Sequence, residues 1–223
     1  MTQSRLPKIK RILIVEDHPL FRSILVQLID QGIGMMVCGE ADNIRDALVI
    51  IEQQLPDAAI VDLTLAGSSG LELIKDLKAR RIQLPVLVLS MHSERLYAER
   101  ALHAGAKGFI SKEEPADEVL AAIRTVIAGG IYVSKYINQK ILERQRHEGK
   151  PVAASGVDLL SDREIEVYQL IGEGLTSREI STRLGLEPTT VDSYRARIKD
   201  KLEIENVAGL YQHATRWVVE REM

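Results

Sequence analysis

The chain has 223 residues but only one cysteine, Cys38, and aromatic side chains make up 4% of it. A single cysteine excludes an internal disulfide framework and suits a reducing compartment. Because 45% of the residues are apolar, a core can still be buried, but its packing must be mainly aliphatic. Cys38 lies in the strand-like segment MMVCGEA, so we interpret it as a buried, inert thiol.

Long apolar runs are also missing. No run approaches the roughly 20 residues that a helix needs to span a bilayer. The N-terminal residues MTQSRLPKIK lack the apolar stretch of a signal peptide. We therefore expect a cytoplasmic protein without a membrane partner.

Neither sign of charge dominates any long part of the chain. The net charge is −3, and residues 152–223 carry nine basic and 13 acidic side chains. A protein that binds nucleic acid chiefly through charge needs many basic groups to neutralise phosphates. Any non-specific binding to nucleic acid is therefore expected to be modest.

Short apolar runs alternate with helical patterns in the first part of the chain. The runs ILIV, MMVCGE, AAIV, VLVL and GFI are typical of buried strands. Between them apolar residues recur with helical spacing, as at Phe21, Leu25 and Leu28. Five strands alternating with five helices predict an α/β domain over residues 9–131, with a five-stranded, doubly wound parallel sheet of the flavodoxin type.

The second part of the chain has a different pattern. Residues 132–157 start with a helical segment and then become polar, with glycine and proline, so we interpret them as a linker. Residues 158–223 show no strand pattern. Ser161–Glu164 and Thr176–Glu179 are capping boxes that start helices, and Pro188 fits the first turn of another. The sequence therefore predicts a small all-α domain after the linker.

Polar side chains end four of the predicted strands. Glu16 and Asp17 follow the first strand, Asp62 the third, Ser90 the fourth and Lys112 the fifth. The carboxyl ends of parallel strands meet at one edge of the sheet, where ligands bind. Three carboxylates there repel each other unless a hard cation such as Mg²⁺ neutralises them, and a hydroxyl with an ammonium group suits a tetrahedral anion. One acid at a strand end is common, but the joint set predicts a functional site.

Four stretches carry a family resemblance: VEDHPLFR, VDLTLAGSSGLEL, LVLSMHSE and GAKGFISKE. Through them the first domain resembles the receiver domain of bacterial two-component response regulators. The resemblance implies that Asp62 accepts a phosphoryl group from a histidine kinase, with Mg²⁺ as the cofactor. The implied metal ligands are Glu16, Asp17, Asp62 and the carbonyl of Thr64, and the implied switch and phosphate-binding residues are Ser90, Phe109 and Lys112.

Three positions near this site have a second interpretation. Phe109 is explained as well by core packing as by switching. His18 follows the two acids, but none of the five histidines has metal-ligand spacing, so we favour a structural role. Ala66 stands where the family usually has proline, and a looser loop there would alter the rate and lifetime of phosphorylation.

The segment LSDREIEVYQLIGEGLTSREISTRLGLEPTTVDSYRARIKDKL carries a second resemblance. It is similar to the LuxR-type helix-turn-helix output domain, and the two halves together resemble a response regulator of the NarL/FixJ type. In a helix-turn-helix the second helix enters the major groove of DNA, here residues 188–202. The expected DNA-contact residues are Thr189, Thr190, Asp192, Ser193, Arg195, Ala196, Arg197 and Lys199.

This helix departs from the commonest pattern of the family. Asp192 stands where many relatives have lysine, and it would accept from cytosine N4 or orient Arg195 one turn further along. We expect Asp192, Ser193 and Ala196 to face bases and the other five residues to lie nearer phosphates. Without the resemblance, four basic side chains on an amphipathic helix would more simply form a solvated face.

The last helix, from about Val207, has two interpretations. The family implies a homodimer on promoter DNA when the protein is phosphorylated. The residues expected at that dimer interface are Val207, Leu210, Tyr211 and Ala214. Their apolar spacing also fits a helix that closes the bundle of a single chain.

The leading interpretation is a phosphorylation-gated transcription factor rather than an enzyme. Phosphatases that form an aspartyl phosphate carry D-x-D after the first strand, where this chain has Glu16-Asp17-His18, and no glycine-rich phosphate loop follows a strand. The remaining alternative is a DNA-binding regulator that ignores phosphorylation and keeps its receiver as a dimer scaffold. DNA binding by an Asp62→Asn variant separates these two regulators.

Overall fold

The structure is a computed structural model that describes residues 9–65, 68–146 and 156–222. It divides into two compact units, Met1–Glu148 and Gly149–Met223. The division follows the change from alternating strands and helices to helices alone. Within the described ranges no helix is long and apolar enough to cross a membrane.

The first unit is built around a parallel sheet with helices between its strands. The strands of the unit are β1 (Lys10–Val15), β2 (Met35–Ala41), β3 (Ala58–Val61), β4 (Thr64–Leu65), β5 (Ser68–Ser69), β6 (Val86–Ser90) and β7 (Gly108–Ser111). Its helices are α1 (Pro19–Gln31), α2 (Ile44–Gln54), α3 (Gly70–Ala79), α4 (Glu94–Ala104), α5 (Ala116–Ile127) and α6 (Lys135–Arg146).

The strand order in the sheet is β2-β1-β3-β6-β7, and all four neighbouring pairs are parallel. This order confirms the predicted doubly wound sheet of the flavodoxin type. It reverses direction between β1 and β3, and ligands bind outside the strand ends at such a point. The sequence did not predict β4 and β5, which form a short antiparallel pair directly after β3.

The central strands are buried on both faces because helices cover both sides of the sheet. All four residues from Ile12 to Val15 have no exposed surface, which explains the uninterrupted apolar run. Ile12 and Ile14 pack with Leu25 of α1 and Ile123 of α5 in one core cluster. Cys38 was predicted to be buried, but it is half-buried. The reason is that β2 lies at the edge of the sheet.

Part of the predicted linker is a helix of the first unit. α6 packs on α4, and its Ile137 is fully buried. The backbone N–H of Ser134 donates to Glu94 at 2.8 Å, which fixes the start of α6. The prediction that all of residues 132–157 form a linker is therefore wrong, because this segment has an apolar contact to bury. Residues 147–155 lie outside the described ranges.

The second unit contains only helices within the described residues. They are a short 3₁₀ helix (Gly156–Leu159), α7 (Asp162–Gly172), α8 (Ser177–Leu184), α9 (Pro188–Lys201) and α10 (Val207–Glu222). Both predicted capping boxes are present, Ser161 with Glu164 and Thr176 with Glu179. α7 packs against α9 and α10, and α8 packs against α9. The predicted all-α domain is thus confirmed.

Candidate functional site

Glu16, Asp17 and Asp62 meet at the carboxyl edge of the sheet. β1 and β3 pair in register up to Val15 and Val61, so the residues that follow these strands lie side by side. One carboxylate oxygen from each acid lies within 4.8 Å of the other two. Glu16 and Asp62 are buried and Asp17 is half-buried. The three acids therefore converge as the sequence predicts.

Lys112 brings a positive charge into this acidic cluster. It follows β7, and its Nζ lies 2.6 Å from Glu16 Oε2 and 2.7 Å from Asp62 Oδ2. The ring of Phe21 lies under the same ammonium group, 4.4 Å from its centroid. Buried charges of this kind are tolerated when an opposite charge is bonded to them. One ammonium group against three carboxylates still leaves the site negative.

The electrostatics of Glu16 show the effect of that excess charge. Burial raises the pKa of Glu16 above its ordinary value, and the neighbouring charge of Asp62 raises it further. The hydrogen bond and charge of Lys112 act in the opposite direction. A second cation at this edge would favour the ionised carboxylate, because an opposite charge nearby stabilises the charged form.

Asp62 Oδ1 is buried and has no hydrogen-bond partner among the residues that the structure describes. A buried polar atom left unpaired costs about 1–3 kcal/mol, and more when it is charged. A cation that prefers oxygen ligands would satisfy it. Three carboxylates form the kind of oxygen ligand set that Mg²⁺ takes in proteins, where it also keeps bound waters. The residues present therefore fit Mg²⁺.

Ser90 and Thr64 are linked through His92. Ser90 is fully buried at the end of β6, and its Oγ accepts from the backbone N–H of His92 at 3.2 Å. His92 Nε2 lies 2.7 Å from Thr64 Oγ1, and its ring packs against Tyr97 with 4.9 Å between centroids. Neither His92 nor Tyr97 was predicted from the sequence, because no spacing pattern connects a loop residue to the helix that follows it.

Phe109 is fully buried on β7. Its backbone N–H donates to the carbonyl of Tyr132 at 2.8 Å, and the N–H of Tyr132 donates to Lys107 at 3.0 Å. Residues after α5 thus pair with β7 and hold the strand that carries Phe109. This arrangement agrees with core packing and with switching, so both interpretations of Phe109 stay open.

In the second unit, α9 presents most of the predicted DNA-contact residues on its accessible side. Val191 and Ile198 are fully buried and anchor the helix, whereas Tyr194 and Leu202 are only half-buried. Of the predicted contacts, the exposed residues are Thr189, Asp192, Ser193, Ala196 and Arg197, and the half-buried ones are Thr190, Arg195 and Lys199.

Asp192 and Arg195 are joined through a third residue, Ser177 of α8. The Ser177 hydroxyl donates to Asp192 Oδ1 at 2.9 Å and accepts from the guanidinium group of Arg195. The ring of Tyr211 from α10 lies beneath the same guanidinium group, 5.0 Å from its centroid. The sequence suggested that Asp192 orients Arg195 directly, but it gave no signal for Ser177, which is 15 positions before Asp192.

Family comparison accounts for both units. The response regulator receiver domain matches residues 12–124, and the luxR family of bacterial regulatory proteins matches residues 158–214. The chain is a response regulator of the LuxR family. Its relatives are transcriptional regulators, so the two units are a receiver domain and a LuxR-type DNA-binding domain.

Three relatives illustrate how far the similarity extends. The transcriptional activator protein ExaE of Pseudomonas putida is 36% identical to the regulator over 199 residues, which cover 89% of this chain and 92% of that protein. The response regulator GacA of Pseudomonas aeruginosa is 32% identical over 210 residues, 92% and 95% of the two chains. A crystal structure of a LuxR-family two-component response regulator from Aurantimonas sp. SI85-9A1 superposes with a TM-score of 0.57 and 31% identity, covering 62% of this chain and 99% of that one.

The regulator uses two of the four predicted dimer residues to close its own helical bundle. Leu210 and Ala214 have no exposed surface. α10 approaches α7 so closely that a Cβ on Gly172 would lie 2.6 Å from the carbonyl oxygen of Ala214. The expected dimer role of Leu210 and Ala214 is therefore corrected to packing within one chain. Val207 is 49% exposed, and Tyr211 is half-buried beside Arg195.

Two other residues of the receiver need comment. His18 caps α1: its Nδ1 accepts from the N–H of Phe21 at 3.5 Å, and its own N–H donates to Glu16 at 3.1 Å. This is the structural role that the sequence favoured over metal binding. Ala66, in the loop after the acidic cluster, lies outside the described residues.

Proposed function

We propose that Asp62 accepts a phosphoryl group from a histidine kinase and that this modification gates dimerisation and binding to promoter DNA. Glu16, Asp17, Asp62 and the carbonyl of Thr64 would hold Mg²⁺ for the reaction. A regulator that takes its phosphoryl group from a histidine kinase and binds promoter DNA would act in the cytoplasm. The observation that carries the proposal is the buried Asp62 Oδ1, which lies beside Lys112 and has no hydrogen-bond partner among the described residues.

The chemistry follows from the charges around Asp62. A carboxylate attacks a phosphoryl group poorly unless the incoming negative charge is neutralised. Bound Mg²⁺ supplies part of that neutralisation as a Lewis acid. Lys112 supplies the rest, since its ammonium group already lies 2.7 Å from Asp62 Oδ2 and can bond to phosphoryl oxygens. One carboxylate oxygen of Asp62 would form the new bond to phosphorus while the phosphorus–nitrogen bond of the kinase phosphohistidine breaks, and the other oxygen would stay with the cation.

Ser90 provides the connection from the new phosphate to the rest of the domain. A phosphorylated side chain adds roughly −1.5 to −2 charge and several strong acceptors. The hydroxyl of Ser90 can donate to one of them while its oxygen continues to accept from His92. Movement of this loop would alter the packing of Tyr97 on α4 and of Phe109 on β7. The changed surface of α4 and β7 would then alter the ability of the output domain to dimerise and bind DNA.

The output domain would place α9 in the major groove of DNA. Its accessible side carries Arg197 and the polar side chains of Thr189, Asp192 and Ser193. The acidic balance of the domain predicts weak non-specific binding, so two copies are needed for firm binding to a promoter. Of the four residues predicted at the dimer interface, Val207 is exposed and Tyr211 is half-buried, so these two remain accessible to a second copy.

Intact-mass measurement tests the phosphorylation directly. The full-length chain is incubated with a small phosphodonor such as acetyl phosphate, with Mg²⁺ or with EDTA. The wild type is expected to gain one phosphoryl group with Mg²⁺ and none with EDTA. Asp62→Ala is expected to gain none in either condition. Asp117→Ala, which changes an exposed acid at the start of α5, is the matched control and should be modified like the wild type. An adduct that persists in Asp62→Ala would contradict the assignment.

The gating step needs a separate measurement. Analytical ultracentrifugation and DNA binding are compared for wild type and Asp62→Asn, each with and without the phosphodonor. Phosphorylation should raise both dimerisation and DNA affinity of the wild type and neither of the variant. Equal behaviour of all four samples would instead indicate a regulator that uses its receiver as a scaffold.

A further inference from the structure

Ser177 lies between Asp192 and Arg195, two oppositely charged side chains of α9, and bonds to both. It is the first residue of α8, directly after the Thr176 cap. Glu179 accepts from the N–H of Thr176 at 2.8 Å and from its hydroxyl at 2.7 Å, so the start of α8 is fixed by a complete capping box. The position of the Ser177 hydroxyl above α9 is therefore set by backbone structure rather than by a flexible loop.

The direction of the hydrogen bonds through Ser177 is determined by chemistry. An ionised carboxylate only accepts, a guanidinium group only donates, and a hydroxyl has a single proton to donate. Arg195 must therefore donate to Ser177 Oγ, and Ser177 must donate to Asp192 Oδ1. The one proton of the hydroxyl is committed to Asp192, which holds that carboxylate oxygen on α8.

Arg195 is held on a second side as well. Its guanidinium group lies over the Tyr211 ring, and Tyr211 belongs to α10. Arg195 is thus bound by one residue from α8 and one from α10, and it is half-buried. A guanidinium group held in this way is a fixed support for Ser177 and is poorly placed to swing out to a DNA phosphate.

Asp192 is the accessible end of this chain of bonds. Its side chain is exposed, and the single bond from Ser177 leaves most of its acceptor capacity free. Asp192 and Arg195 are three residues apart on one helix, a spacing at which opposite charges pair directly. Without the hydroxyl between them, the carboxylate would turn along the helix toward Arg195.

We propose that Ser177 is a specificity-determining positioning residue, which holds the Asp192 carboxylate toward the major groove as an acceptor for a base amino group. The group recognised would be N4 of cytosine or N6 of adenine, since only these bases present an amino donor in that groove. This inference rests on the proposed DNA binding by α9. Ser177 itself need not touch DNA.

Binding-site selection tests the proposal. The full-length chain, treated with acetyl phosphate and Mg²⁺, selects duplexes from a library with a random central segment, at one fixed salt concentration. The wild type should enrich a motif with cytosine or adenine at one position. Ser177→Ala and Asp192→Ala should both lose about tenfold preference at that same position. The rest of the motif should be retained, and Ser177→Thr, which keeps the hydroxyl, should restore the preference.

Asp192→Asn gives a second and sharper readout. The committed proton of Ser177 would hold the amide oxygen, so the amide nitrogen would be presented to DNA as a donor. Cytosine, which presents no acceptor in that groove, should then be disfavoured at this position in exchange for guanine, thymine or, through N7, adenine. In the double variant with Ser177→Ala this exchange should disappear. Circular dichroism and thermal unfolding check that each variant is folded.

The possible outcomes distinguish the role of Ser177 from sequence-specific DNA binding itself. A wild type that selects no common sequence would overturn both sequence-specific DNA binding and the role of Ser177. A clear wild-type motif that Ser177→Ala leaves unchanged would overturn the inference alone. A uniform loss of affinity for all sequences in Ser177→Ala would also overturn it, because that result indicates a phosphate contact or a structural defect.

Discussion

Lys112 lies 2.7 Å from Asp62, although the two residues are 50 positions apart in sequence. The contact exists because β3 and β7 both end at the same edge of the sheet, with β6 between them. Lys112 also contacts Glu16 at 2.6 Å, so one ammonium group neutralises parts of two buried carboxylates. The same ammonium group could also bond to a phosphoryl oxygen on Asp62. Removing it should therefore change the rate at which Asp62 is phosphorylated.

Replacing Lys112 with methionine should slow phosphorylation of Asp62 strongly. Methionine keeps a long apolar side chain beside Phe21 but has no positive charge. Loss of one charged donor to a transition-state oxygen typically lowers a rate by about 100-fold. The rate of mass gain with acetyl phosphate and Mg²⁺ measures the effect. Lys107→Met, which removes an exposed lysine beside β7, is the control, and an equal rate in Lys112→Met and wild type would refute the role of Lys112.

Magnesium should stabilise the regulator through its acidic cluster. A ligand that binds only the folded state at 100 times its Kd adds about 2.7 kcal/mol to the free energy of unfolding. Urea unfolding with and without saturating Mg²⁺ should therefore show a gain for wild type and almost none for Asp17→Asn. Glu113→Gln removes an exposed acid beside Lys112 and should keep the full gain. A gain of equal size in Asp17→Asn would place the ion elsewhere.

Tyr132 should contribute a stability that is lost in alkali. Burial and, next, the hydrogen bond to Glu118 at 2.7 Å together raise the pKa of Tyr132 to about 12 from an ordinary value of 10.0. The neutral form is favoured in the folded state, so the contribution is complete below pH 10 and disappears as the pH rises toward 12. The difference in unfolding free energy between wild type and Tyr132→Phe should be on the order of 1 kcal/mol at pH 8 and shrink above pH 10. Tyr136→Phe, with an exposed side chain, should show no such difference.

The sheet and the acidic cluster were predictable because local patterns determine both. A run such as Ile12–Val15 can be buried only in a strand covered on two faces, and strand alternation with helices then fixes the parallel order. Once the strands are parallel, Glu16, Asp17, Asp62 and Lys112 must share one edge. Short-range rules also specified Ser161 and Thr176 as caps, since a capping box needs residues only three positions apart.

Contacts between distant segments were not predictable in the same way. Apolar spacing shows that Leu210 and Ala214 are buried, but it cannot show whether α7 or a second copy covers them. Residues 135–146 carry few apolar side chains, among them Ile137 and Ile141, too weak a signal for a docked helix. His92 contacts Thr64, 28 positions away, and Ser177 bonds to Asp192 and Arg195, 15 and 18 positions away, and no sequence period reports such bonds.

Gly172→Ala should destabilise the DNA-binding domain through overpacking of α7 against α10. The added Cβ would lie 2.5 Å from Val218 Cγ2 and 2.6 Å from the Ala214 carbonyl oxygen, and the backbone oxygen cannot move without shifting α10. A loss of about 1–3 kcal/mol is expected, because forced contacts in a packed core cost that much. Trp217 packs edge-on against Tyr168 of α7 at 5.2 Å, so its fluorescence reports the transition. In Gly209→Ala the new Cβ would lie 3.2 Å from Ile204 Cγ2 and 3.5 Å from Asn206 Oδ1, both side-chain atoms, and the better helix propensity of alanine should offset these contacts. If Gly172→Ala were as stable as Gly209→Ala, the two helices would have room to separate.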